Sequence, residues 1–156
     1  MTPESQPEES SCIGDDPSIP DSETLYRRLS RENPNMYAVD EETGERRPTS
    51  AAFKPRPNED GLSVYRDSKL TEVGLDASAV ATAPEHIVFG VSTGEVRSIK
   101  LGVRDDAWPS GVPEPDHPRN GAHALIIGWQ GLTRGETGRR ARDLTRLPSM
   151  RLAYQG

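Results

Sequence analysis

Proline and glycine, fourteen of each in 156 residues, divide the chain so finely that its regular elements must be short. Proline fixes φ and lacks an N–H, and glycine permits backbone angles that end strands and helices. The clearest apolar runs between these breaks are HIVFGV (His86 to Val91) and AHALIIGW (Ala122 to Trp129), both of strand length. The stretch SAAFKPRPNEDGLSVYR (Ser50 to Arg66) has the same logic. Ala51, Ala52 and Phe53 predict one strand, and Leu62, Val64 and Tyr65 around Ser63 predict another. Between them Pro55, Pro57, Asn58, Asp60 and Gly61 predict a loop over Lys54 to Gly61. The expected fold class is α+β: a small mixed or antiparallel sheet with a few short helices and a disordered acidic N-terminal tail.

The tail is expected over 1–23. It carries Glu4, Glu8, Glu9, Asp15, Asp16, Asp21 and Glu23 without a lysine or arginine, and four prolines interrupt it. Such a segment has little apolar surface to bury against its own charge. Order is expected from Thr24, with Leu25, Tyr26 and Leu29 predicting a first strand. Met36 to Val39 predict an extended piece, and Asp40 to Gly44 a turn. Asp67 to Ala83 predict short helical pieces in a loop, with Asp67 or Ser68 as a cap. Ser92 and Glu95 have capping-box spacing, so a helix is expected after the HIVFGV strand, and Leu101 to Val103 return to the sheet. Asp105 to Asn120 hold four prolines and predict an irregular surface loop. Arg139 to Leu147 predict an amphipathic helix that Pro148 stops. The expected organisation is a single domain over 24–147 and a C-terminal tail over 148–156.

Composition narrows the classes of function. Only 32% of residues are apolar and 5% aromatic, so the expected core is thin and built from Leu, Val, Ile and Ala. Cys12 is the sole cysteine, which excludes an intrachain disulfide and a zinc–thiolate cluster and fits a reducing cytoplasm. No basic leader with an apolar run and no apolar stretch of membrane-spanning length occurs, so no membrane association is expected. The formal charge of −6 argues against general nucleic-acid binding. The exception is the segment from Arg134 to Arg151, where six arginines stand against Glu136 and Asp143. It suits an acidic partner, RNA, attraction to the acidic tail, or a solvated helix face.

Five residues are candidates for binding a ligand or partner. Ser50 and Ser63 flank the predicted loop, and their hydroxyls suit either a ligand or local bonding to the backbone. Arg27 and Arg28 are adjacent on a predicted strand, so their side chains are expected on opposite faces. Either guanidinium can hold a carboxylate or phosphate, or serve a structural salt bridge. His123 stands at the start of a strand, placed for acid, base or ligand work or for a bond to a loop carbonyl. His86 and His117 complete the histidines, with no HxH or HExxH spacing, so no metal and no other cofactor is expected. No GxSxG elbow, GxGxxG or phosphate-loop pattern occurs.

The order LYRRL (Leu25 to Leu29), SAAF (Ser50 to Phe53), LSVYR (Leu62 to Arg66) and AHALIIG (Ala122 to Gly128) resembles a group of small bacterial proteins known only as hypothetical. The likeness covers roughly Thr24 to Leu147. It implies a shared fold and no particular activity. A fainter resemblance is to NAD-consuming transferases of the RES and ADP-ribosyltransferase type, which implies that Arg27 or Arg28 and Ser50 would hold the dinucleotide. No glutamate on a late strand matches that pattern well; Glu85 and Glu95 are the candidates, and Glu95 is expected as a cap. The expected function is a small cytoplasmic accessory or binding protein, with a protein partner before a small-molecule ligand. A defence or operon-linked complex is a setting that such bacterial proteins suggest.

Overall fold

The computed structural model describes residues 12–33, 35–56, 61–107 and 118–155. Glu4, Glu8 and Glu9 of the expected tail, Pro57, Asn58 and Asp60 of the central loop, and Pro109, Pro113, Pro115 and His117 lie outside the described residues. Elements follow as β1 (Thr24–Ser30), β2 (Tyr37–Val39), β3 (Arg46–Pro48), β4 (Leu62–Arg66), α1 (Asp67–Glu72), β5 (His86–Ser92), α2 (Thr93–Ser98), β6 (Gly102–Asp105), β7 (His123–Ile127), α3 (Arg134–Thr145) and β8 (Arg151–Gln155). Short 3-10 turns occupy Ser50–Phe53, Ala77–Val80 and Pro118–Ala122. The fold is α+β, with a six-stranded sheet in the order β6-β7-β4-β1-β5-β8 and a separate β2-β3 ribbon. Each neighbouring pair runs antiparallel.

Both faces of the sheet are packed, which explains why β5 is apolar at nearly every position. Ile87, Phe89 and Val91 join the larger core with Leu25, Leu29, Leu62, Val64, Ala124 and Ile126. Val96 of α2 and Ala141 and Leu144 of α3 close that face. Val88 points the other way, to a smaller cluster of Tyr65, Leu70, Val80 and Ala122. Strand alternation therefore sorts β1 in the same manner: Leu25 and Leu29 lie in the larger core, and Tyr26 packs on the smaller one.

Several expectations are corrected. Ser50–Phe53 is a 3-10 turn and not a strand. The Ala52 carbonyl accepts from Arg27 Nε at 2.7 Å, while Ala52 and Phe53 are buried in the core that α3 closes. The run thus buries Ala52 and Phe53 without joining a ladder.

Among the described residues, packing reaches back well before Thr24. The Asp16 amide donates to the Val103 carbonyl at 2.8 Å, and Ile19 is fully buried. Asp15 Oδ1 receives the Val103 amide at 2.9 Å and Arg97 Nε at 3.1 Å. Asp15 and Asp21 pair with Arg97 and Glu23 with Arg66, arginines far along the chain, so the segment's own composition could not reveal its packing.

The segment expected as a C-terminal tail contains β8, which pairs with β5 at the sheet edge. Finally, α3 starts at Arg134 and not at Arg139. Thr133 and Glu136 form a complete capping box, with the Thr133 amide donating to Glu136 Oε1 at 2.8 Å and the Glu136 amide to Thr133 Oγ1 at 3.1 Å. At α2 only half of the expected box forms. Ser92 Oγ accepts from the Glu95 amide at 3.3 Å, but the Glu95 carboxylate receives the Ser149 amide at 2.8 Å and so ties down the approach to β8.

Candidate functional site

Two antiparallel registers bring distant residues together. β4 pairs with β7 so that Tyr65 faces His123 and Ser63 faces Leu125. β6 pairs with β7 through Asp105 opposite Ala124, and the Asp106 amide donates to the His123 carbonyl at 2.9 Å, carrying the pairing one residue further. Residues directly opposite project to the same face of a sheet. Asp106, His123 and Tyr65 therefore form one row on the smaller-core face, and Ser63 stands one step along that face.

The side chains meet. His123 Nε2 lies 3.0 Å from Ser63 Oγ, and His123 Nδ1 lies 3.0 Å from Asp106 Oδ2 and 3.3 Å from the Asp106 carbonyl oxygen. Both neighbours of Nδ1 are acceptors, so in the neutral ring Nδ1 must carry the hydrogen. Nε2 is then a bare acceptor for the Ser63 hydroxyl. The ring plane is held by an edge-on contact with Tyr65, centroids 5.3 Å apart, and the Arg28 guanidinium lies 5.8 Å from the Tyr65 centroid. Ser63 and Asp106 are exposed and His123 half-buried. The arrangement is a serine–imidazole–carboxylate chain on the smaller-core face of the sheet, with its two ends exposed.

The other predicted residues fall elsewhere. Arg28 shares the Ser63 and His123 face, but its Nη1 donates to the Val80 carbonyl at 3.2 Å. Arg27 lies on the opposite face, where it spans two elements. The ladder between β1 and β4 ends at Tyr26 opposite Tyr65, and beyond it Arg27 Nη1 supplies the donor for the Ser63 carbonyl at 2.8 Å while Nε holds the Ala52 carbonyl. Its guanidinium also lies 5.7 Å from the Phe53 centroid. Such satisfaction of backbone acceptors by a cation is a structural role. Ser50 is half-buried in the turn on that same face. Arg28, Ser63 and His123 are thus brought to one face, and Arg27 and Ser50 to the other.

Asp106 and Tyr65 were not singled out from the sequence. Tyr65 reads as an ordinary strand aromatic, and Asp106 is one of two adjacent aspartates at the mouth of a proline-rich loop. Only the pairing of β6 with β7 distinguishes it from Asp105, whose carboxylate instead joins Arg66 at 3.0 Å. Among the other titratable groups, burial and the Asp67 carboxylate, 3.0 Å from the Tyr26 hydroxyl, push Tyr26 up to about 12. Burial, with Arg28 nearby, lowers His86, whose Nδ1 accepts the Thr82 amide at 3.0 Å. Among the described residues no group of three metal-ligating side chains forms, and no helix is long and apolar enough to cross a membrane. Comparison with protein-family models, curated proteins and solved structures finds no match.

Proposed function

We propose that the protein is a small accessory or binding protein that engages a protein partner through the sheet face around Ser63 and His123. The exposed Ser63 hydroxyl, held 3.0 Å from an imidazole that Asp106 fixes on its other side, is the observation that supports this reading. Polar groups mounted on paired strands are already ordered, so a partner meets them at little entropic cost. Leu125, half-buried and directly opposite Ser63, adds an apolar neighbour to the same patch. The setting proposed is a bacterial, cytoplasmic, operon-linked or defence complex, and no cofactor is part of the proposal.

Purified products of the neighbouring genes, titrated calorimetrically against the chain, test it. One of them is expected to bind. Ser63→Ala and His123→Gln are expected to weaken that binding about tenfold, the worth of a lost interfacial hydrogen bond, and Ser50→Ala to leave it unchanged. Equal binding by all variants, or no binding by any neighbour, overturns the reading. A thermal-shift screen against NAD, nucleotides, small acids and short RNA runs beside it. A stabilisation by NAD that Arg27→Ala and Arg28→Ala both abolish would replace this function with a dinucleotide-consuming transferase.

A further inference from the structure

We propose that Ser63, His123 and Asp106 constitute a nucleophile relay, in which Ser63 accepts an acyl group from an ester or thioester. The inference rests on the same face proposed above for binding and adds a chemical step to it. Three features carry it. The Ser63 hydroxyl is exposed, so an incoming acyl carbon can reach it. His123 Nε2 stands 3.0 Å from that oxygen and, in the neutral ring, is the nitrogen without a hydrogen, because the Asp106 carboxylate and carbonyl both face Nδ1. The three residues also sit on adjoining strands or directly at a strand end, so paired backbone, and not a nucleophile elbow, sets their geometry. Such relays are recognised by geometry and role and not by sequence order.

The step balances. Ser63 Oγ adds to the acyl carbon while its proton passes to His123 Nε2. The resulting imidazolium keeps its Nδ1–H on Asp106. The bond from the acyl carbon to the alcohol or thiol then breaks, and that leaving group departs with the proton from Nε2. Water repeats the sequence: it adds to the acyl–serine, gives its proton to Nε2, and the proton returns to Ser63 as the carboxylic acid leaves. Ser63 is the nucleophile and His123 the base, and Asp106 is a positioning residue. The Asp106 side chain is 51% exposed and that of His123 22%, so solvent screens their pairing and the relay is weaker than a buried one.

A fluorophosphonate probe applied to the full chain, read by intact mass and peptide mapping, tests this. One phosphonyl adduct on Ser63 is expected, with fluoride lost, and none in Ser63→Ala. His123→Gln should slow labelling on the order of a hundredfold, the contribution of a positioned base. Asp106→Ala should slow it less, and Asp106→Glu should restore part of the rate at an unchanged melting temperature, which a merely structural role would not produce. Ser50→Ala should label like the wild type. No adduct on the wild-type chain, or a rate indifferent to His123, overturns the relay. If the relay fails while partner binding still depends on Ser63, the binding function stands without the chemistry; if both fail, this face is not the site.

Discussion

Replacing Glu23 by alanine should remove a fifth or more of the protein's stability, although the residue belongs to a segment that reads as a disordered tail. Its side chain is 2% exposed and its Oε1 lies 3.1 Å from Arg66 Nη2, itself on a side chain 10% exposed. The same carboxylate starts α1: Oε2 accepts the Ser68 amide at 2.8 Å and Oε1 the Ser68 hydroxyl at 2.7 Å, in place of any cap from the helix's own sequence. Truncation strands a buried guanidinium, at about 3–5 kcal/mol when no other partner remains. Asp105, 3.0 Å from Arg66 Nη1, offsets part of that, and loss of the cap adds about 1 kcal/mol. The net expectation is about 3–4 kcal/mol against a typical total of about 5–15. Equilibrium urea unfolding should show the midpoint falling by roughly 1–2 M at an unchanged slope. Glu23→Gln keeps one acceptor oxygen for the Ser68 amide and should cost less, and Arg66→Met in the Glu23→Ala background should recover stability by removing the orphaned charge. A loss below about 1 kcal/mol, or no recovery in the double variant, would refute the buried pair as a folding element.

Three further outcomes follow from local geometry. A Cβ at Gly61 would stand 2.5 Å from the Ile126 carbonyl oxygen, so Gly61→Ala should cost about 1–3 kcal/mol in urea unfolding, while Gly121→Ala, with nothing within 4 Å, should be near neutral. Tyr26 should ionise late, at about 12, as a step in an ultraviolet titration that Tyr26→Phe removes. Because its folded pKa is raised, the stability it contributes is complete below pH 10, the unfolded value, and is lost as pH rises toward about 12. Burial first, and the Asp15 carboxylate second, push the Cys12 thiol above its ordinary value, so alkylation at pH near 8 should be slower in the folded chain than in denaturant, where thiolate is more abundant.

Strands whose partners lie on both faces were legible because their own residues carry the signal. HIVFGV is β5 and AHALIIGW contains β7, and each is short and apolar between breakers. SAAF reads as a strand for a definite reason: Ala52 and Phe53 can be buried in a turn as readily as in a strand, and the Ala52 carbonyl finds its donor in Arg27, 25 residues away. The same holds for residues 12–23. Their charges imply solvent only while Arg66 and Arg97 are out of view, and these lie 43 and 82 residues from the carboxylates they bind, Glu23 and Asp15. Local composition predicts a segment's fate where its partners are local.

The site divides along the same line. Ser63 and His123 were each legible as polar residues at strand positions, but 60 residues separate them and no short motif joins them. Alternation alone fixes which face a residue takes only relative to its own strand. It placed Arg27 and Arg28 on opposite faces correctly, yet could not say that Arg28 shares the face of Ser63. That needed the register in which Tyr26 meets Tyr65 and Tyr65 meets His123. Asp106 is the sharpest case. Asp105 and Asp106 are identical in type and adjacent, and the β6-β7 pairing sends one to the Arg66 pair and the other to His123. A slip of one residue in that register would send Asp106 to the face that Asp105 now takes and part it from His123. The distinction between a structural aspartate and a positioning one is therefore held by strand register, so the relay and the sheet edge should be lost together when β6 is disturbed.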